Sequence, residues 1–222
     1  MPKITSVEPQ QKNPHRFNIF LDGLFTFGAD EDLVVEKRLT SGKLLDTSEV
    51  EQLLFEAEVG KLMERMYGLF NIRQRSEKEI KDYLRNLSFK RKIKDREEIS
   101  VQAIELLVSK LKQKRLLNDK EFATSWFEAR SKKKGLQAIK AELYKKGISK
   151  DIIEEVISQE STVARQQDVA IKLLIKRWSR LEKLPDMERK RKAYEFLLRR
   201  GFDADLVKEV VEKLLKKEYT KL

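Results

Sequence analysis

"LLRRGFDADLVKEVV" (197–211) and "LYKKGISKDIIEEVI" (143–157) are one phrase written twice. In each, a helical pattern ends in two cations, the chain turns on a glycine, and a second helical pattern starts at once. Gly147 and Gly201 suit the left-handed position just past a helix end, where a Cβ would clash. Ser149 and Asp203 can cap the next helix with a side-chain oxygen. Ile148 and Phe202 precede those caps, and Ile153 and Val207 follow them by four residues, the spacing of a hydrophobic staple. Lys145-Lys146 and Arg199-Arg200 fill the last helical turn, where positive charge meets the helix dipole. Locally, the cations need no further role.

The phrase is itself part of a longer repeat. A shift of 54 superposes Ile139 on Ala193, Leu143 on Leu197, Gly147 on Gly201 and Val156 on Val210. A shift of 59 places Tyr67 on Trp126, Ser76 on Gly135, Ile80 on Ile139 and Leu84 on Leu143. The third helix of that earlier set matches at a shift of only 49, so ten extra residues lie near "FKRKIKDREE" (89–98). Periodicity predicts nine helices after Asp46, at 47–72, 76–90, 99–115, 119–133, 135–146, 149–160, 162–181, 186–200 and 203–219. They group as three sets of three, 47–115, 116–160 and 161–222, the signature of a helical array.

Residues 1–46 read differently. "RFNIFLDGLFTF" (16–27) holds two β-favouring runs around Asp22-Gly23, a pair suited to a type I′ hairpin turn with positive φ at both positions. "ADEDLVVEKRL" (29–39) places acids first and bases last, as a short helix prefers. An isolated hairpin is marginal, so this segment is expected to pack on the helices after it, while the helical array is expected to fold without residues 1–45. The expected fold class is mainly α: an elongated array of three tandem three-helix repeats with a small N-terminal β-hairpin segment.

Composition bounds the function. The 222 residues are 40% apolar and 38% charged, with no cysteine. Disulfides, thiolate zinc sites and thiol catalysis are therefore excluded. No apolar run is long enough to span a membrane, and "MPKITSVEPQ" (1–10) lacks the pattern of a secretory signal, which predicts a soluble cytoplasmic protein with no membrane partner. The net charge of +11 sits entirely after residue 47. Such a surface favours polyanions through counterion release. Charge alone equally allows lysines that only solvate exposed faces.

Motifs for chemistry are missing. His15 follows Pro14 in a polar stretch without a partner motif, and no P-loop, dinucleotide fingerprint or HExxH occurs. No catalytic residue, metal ligand or cofactor site is expected. Trp126, Trp178 and Tyr67 recur on the first helices of their sets; aromatics between basic clusters can stack bases, but recurrence at one position predicts core packing. The runs "FKRKIK" (89–94), "RSKKK" (130–134), "KRWSR" (176–180) and "RKRK" (189–192) each read alone as solvated faces. Together, at helix ends and links, they are expected to form a basic stripe.

The stretch "LLNDKEFATSWFEARSKKKGLQAIKAELYKKGI" (116–148) resembles the RecX family, bacterial regulators of the RecA recombinase. The resemblance rests on Leu117-Asn118-Asp119, Phe122-Ala123, Trp126, Arg130, Lys134-Gly135, Ile139, Leu143 and Lys146-Gly147-Ile148, with "RRGF" (199–202) as a second signature. It extends over residues 58–217 and leaves the hairpin segment outside; the first set departs from it, lacking the Lys-Gly turn. It implies a monomer that docks on the RecA–single-stranded DNA filament and lowers ATP hydrolysis, strand exchange and co-protease activity. Single-stranded DNA is an implied partner and double-stranded DNA a further candidate. Arg130, Lys132, Lys133, Lys134, Lys145, Lys146, Arg177, Arg180, Arg199 and Arg200 are the candidate cations facing RecA or DNA. The alternative is a general nucleic-acid-binding helical module with no RecA-specific role.

Overall fold

The computed structural model describes residues 1–160 and 163–219; the expected helix start at 162 and residues 220–222 lie outside them. The chain forms two compact units, Met1–Leu117 and Asn118–Leu222.

The first unit begins with an antiparallel meander of β1 (Ile4–Gln10), β2 (Asn13–Leu21) and β3 (Leu24–Asp30), in the order β1-β2-β3. The expected hairpin is β2–β3, and its turn residues Asp22 and Gly23 have φ of +49° and +83°. Strand β1 is an addition to the expected hairpin. In "ITSVEPQ" only Ile4 is fully buried, so the alternation that marks a half-buried strand is nearly absent. Distant backbone holds its start instead: Ile4 donates to the Lys43 carbonyl at 2.9 Å, and Gly42 donates to that of Ile4 at 2.8 Å.

The short helix expected within 29–39 is α1 (Glu31–Glu36), capped by Asp30, which accepts from the Leu33 N–H at 2.9 Å. Helix α2 (Thr47–Ile72) starts at a capping box in which Asp46 and Glu49 satisfy each other's backbone N–H groups. At 26 residues it is long enough to serve two cores. Its first half buries Leu53 and Ala57 with Ile4, Ile19 and Phe27 of the sheet. Its second half buries Val59, Leu62 and Met66 with α3 (Glu77–Lys92) and α4 (Val101–Gln113) through Ile80, Leu84, Leu107 and Leu111. Asp46 thus ends the sheet segment as a cap, while the hydrophobic contact continues past it. The extra residues after α3 place Asp95, at φ +50°, where the later sets carry glycine.

The second unit holds α5 (Asp119–Ser131), α6 (Leu136–Lys145), α7 (Lys150–Glu160), α8 (Val163–Leu181), α9 (Asp186–Arg199) and α10 (Ala204–Tyr219). The first three close around Phe127, Ile139, Leu143 and Ile153, and the last three around Leu174, Ala193, Leu197 and Val207. The repeated phrase folds as a repeated Schellman turn. Gly147 and Gly201 have φ of +81° and +79°, Ile148 donates to the Leu143 carbonyl at 3.1 Å, and Phe202 donates to that of Leu197 at 3.3 Å. Asp203 accepts from the Asp205 N–H at 2.9 Å, and Ser149 from the Ile152 N–H at a longer 3.4 Å. Ile148 and Ile153 are buried in one core, Phe202 and Val207 in the other, as staples require.

Candidate functional site

Helix α6 has no side-chain N-cap. Its first orphan N–H groups are met by the end of α9 instead: Gly135 donates to the Arg200 carbonyl at 2.8 Å, and Gln137 to the Gly201 carbonyl at 3.0 Å. The C-terminal carbonyls of one helix thus satisfy the N-terminal donors of another, with the two dipoles in their favourable sense. Such an approach needs two bare backbones. A Cβ on Gly135 would overlap the Gly201 carbonyl, and one on Gly201 would overlap Ala138.

Arg200 completes this joint. Its Nη1 donates to the Lys133 carbonyl at 3.0 Å, and its Cζ lies 4.6 Å from the centre of the buried Phe196 ring. Arg177, from α8, sits 4.9 Å from the same centre. Arg200 is therefore more than a complement to its own helix dipole. Arg199, beside it, is exposed and turns its Nε back to the Glu195 carbonyl at 3.2 Å.

A second cation-bearing ring lies on α5. Trp126 is partly buried against the middle core, stacks on Phe122 at 5.6 Å, and donates its Nε1 hydrogen to Glu142 Oε2 at 2.8 Å. Arg130 and Lys146 lie 4.6 and 5.1 Å from its centre. Glu142 gathers the neighbouring charge, pairing with Arg130 at 3.5 Å and with Lys134. Burial pushes its carboxyl upward, but hydrogen bonds from Lys134 and Trp126, with the fields of Lys134 and Arg130, outweigh this and hold it below the ordinary 4.5.

The expected core role of the recurring aromatics holds for Trp126 and for Trp178, which packs against the last core; Tyr67 is 38% exposed and departs from it.

The basic runs separate by their neighbours. In 89–94, Arg91 is paired with Glu58, and Lys92 with Glu98 at 2.7 Å. In 189–192, Arg189 donates to the Glu182 and Leu184 carbonyls, and Lys192 pairs with Glu188 at 2.8 Å. These runs are largely spent on the fold. Among the described residues, Lys132, Lys133, Lys145, Arg177, Arg180, Arg199 and Arg200 have no carboxylate in ion-pair range. Contacts join Arg130, Lys134 and Lys146 around Trp126, and Arg177 and Arg200 around Phe196, with Lys133 meeting Arg200 only through its main-chain carbonyl; Lys132, Lys145 and Arg180 stand exposed outside both groups. Phe196 and Glu142 carry no local sequence signal for these roles. Their helical spacing reads only as core and surface.

Among the described residues no three His, Cys, Asp or Glu side chains gather as a metal group, and no helix is long and apolar enough to cross a membrane. His15 is exposed, with its Nδ1 3.1 Å from Glu31.

A small sheet followed by tandem three-helix sets, with cations seated on aromatic rings, defines a helical-repeat protein. Family models agree in detail: the regulatory protein RecX N-terminal domain matches residues 2–46, the RecX second three-helix domain 118–157, and the third 164–211. Regulatory protein RecX of Listeria monocytogenes serotype 4b (strain F2365) is 34% identical over 208 residues, covering 93% of this chain and 73% of that protein. The same-named protein of Clostridium perfringens (strain 13) is 31% identical over 221 residues, 99% of each. A crystal structure of regulatory protein RecX matches with a TM-score of 0.73 at 25% identity, over 96% of this chain and all of that one. That of RecX from Lactobacillus salivarius matches with 0.60 at 26%, over 70% and 96%. The chain belongs to the RecX family of regulatory proteins, and the hairpin segment belongs to it as well.

Proposed function

We propose that this chain regulates a RecA recombinase by binding the RecA–single-stranded DNA filament and lowering its ATPase, strand-exchange and co-protease activities. It would act as a cytoplasmic monomer, with residues 1–46 and the sets 47–115, 116–160 and 161–222 as its modules. The observation that carries the reading is the group of cations left without carboxylates around Phe196, in a chain whose other basic runs are largely neutralised. Unspent guanidinium groups suit phosphate or carboxylate, which they can grip in bidentate fashion. Family membership supports RecA as the protein partner.

The test compares binding to bare single-stranded DNA, free RecA and the assembled filament, each at two salt concentrations. Tightest binding to the filament, with inhibition of its ATPase, is the expected result. Equal affinity for bare DNA and filament would instead favour a general nucleic-acid-binding module.

A further inference from the structure

The first unit carries a groove opposite in sign to the chain around it. Residues of β3, α1, α2 and α4 border about 280 Å³, lined by six carboxylates against two lysines, in a chain of net charge +11. Asp30, Glu31, Asp32 and Glu36 come from the corner where β3 runs into α1. Glu56 and Glu64 come from α2, one turn before and one turn after Gly60. Between these walls the floor is apolar. Val59 and Met63 are buried there, and Gly60 presents bare backbone, because a Cβ on it would overlap the Asp30 carboxylate.

The groove does not neutralise itself. Lys110 and Lys114 form its far side at the end of α4, and among the described residues neither reaches a carboxylate. Glu31, Glu56 and Glu64 take partners from His15, Lys37 and Arg16, but Asp32 has no cation in ion-pair range among the described residues. Tyr67 adds a second, independent feature. The sequence repeat superposes it on Trp126, which packs on its own core, yet Tyr67 is 38% exposed and lines the groove. Carboxylates repel phosphate, so this face cannot share the role of the cations that the filament reading uses.

We infer that the groove between α1, α2 and α4 is a docking site for a basic segment of a partner protein, with an apolar side chain over Gly60 and flanking cations on the acids. An exposed tyrosine beside a buried apolar floor, rimmed by charge, is the composition of an interface hot spot. The sign of the rim selects a cationic partner. Eight residues of α-helix separate Glu56 from Glu64, roughly 12 Å, which an extended segment covers in about four residues. Cations at positions i and i+4 and an apolar residue at i+2 share one face of such a segment. They match acid, floor and acid in turn.

The probe is a fluorescein-labelled peptide with the central run Arg-Leu-Phe-Leu-Arg, titrated with the full chain by anisotropy. Two counterparts replace both arginines by glutamine or the phenylalanine by serine. The arginine peptide is expected to bind about tenfold or more tighter than either counterpart, and to weaken with added salt. Asp32→Lys, a change at an exposed position, should weaken it by about tenfold, and Tyr67→Ser by about fivefold. Circular dichroism shows whether each variant is folded; should Tyr67→Ser unfold, Asp32→Lys decides alone. Absence of binding by the arginine peptide overturns the inference, as does equal binding of the glutamine counterpart or unchanged affinity in Asp32→Lys. Equal binding of the serine counterpart, with displacement by spermidine, would make the groove a site for small polycations and overturns it too. Each of those results leaves the filament reading standing, which fails only if the assembled filament is not bound.

Discussion

The backbone N–H of Gly135 lies 2.8 Å from the carbonyl oxygen of Arg200, so the last turn of α9 serves as the N-cap that α6 lacks. The turn at Gly201 therefore has a second layer of meaning. Its glycine reverses the chain locally, and it also admits a second backbone.

Gly201→Val should accordingly cost more than a turn glycine in open space. Strain at φ +79° and overlap with Ala138 act together, for a loss of about 2–4 kcal/mol. Gly23, at φ +83° with nothing near its would-be Cβ, should lose only about 1 kcal/mol on change to Ala. Denaturant midpoints of the two variants test the difference. Equal losses would mean that the Gly201 seam contributes nothing.

Arg199 and Arg200 should separate when changed singly to Gln. Arg200→Gln gives up the ring contact and the hydrogen bond to the Lys133 carbonyl, lowering stability by about 1–2 kcal/mol. Arg199→Gln should stay within about 0.5 kcal/mol, being exposed and bonded only to its own helix. Both are expected to weaken the proposed inhibition of the RecA ATPase. Thermal melts paired with ATPase inhibition curves check this, and an Arg199→Gln chain that inhibits fully would remove that residue from the face.

The carboxyl groups of Glu142 and Glu77 set an acid dependence. That of Glu77 lies below its ordinary 4.5 because Lys112 and Lys81 hydrogen-bond to it; that of Glu142 lies below because Lys134 and Trp126 overcome its burial. A carboxyl depressed in the folded state stabilises the fold fully above its unfolded value, and loses that contribution as pH falls through its folded value. Stability should therefore decline below about pH 4.5. The decline should be shallower in Glu142→Gln, in which one of the two groups no longer titrates. Urea midpoints measured from neutral to acid pH test this; parallel curves would assign the acid loss elsewhere.

Deletion of residues 1–45 should leave most of the helical circular dichroism intact but lower the stability of the first unit. It strips the sheet from Leu53 and Ala57, while Leu62, Met66 and Leu107 keep their own core. Loss of most of the helical signal would show that the sheet is required for α2 to form at all.

Much of the fold is legible in the sequence because it is local. Asp22-Gly23 turns, Asp46 with Glu49 caps α2, and the phrases at 143–157 and 197–211 fold as matched Schellman turns, each from chemistry within a few residues. The helical sets, their turns and the surplus of cations are all written in that local code. Strand β1 depends on tertiary pairing, since its register comes from residues 13–21 and 42–45 rather than from its own alternation. The division of the basic runs is tertiary too: Arg91 meets Glu58 across 33 positions and is spent, whereas Arg200 meets only a carbonyl across 67 and keeps its charge. Spacing along the chain encodes which face a residue takes on its own helix. It does not encode which distant carboxylate, ring or bare backbone that face will meet, and those meetings decide which cations are left for a partner.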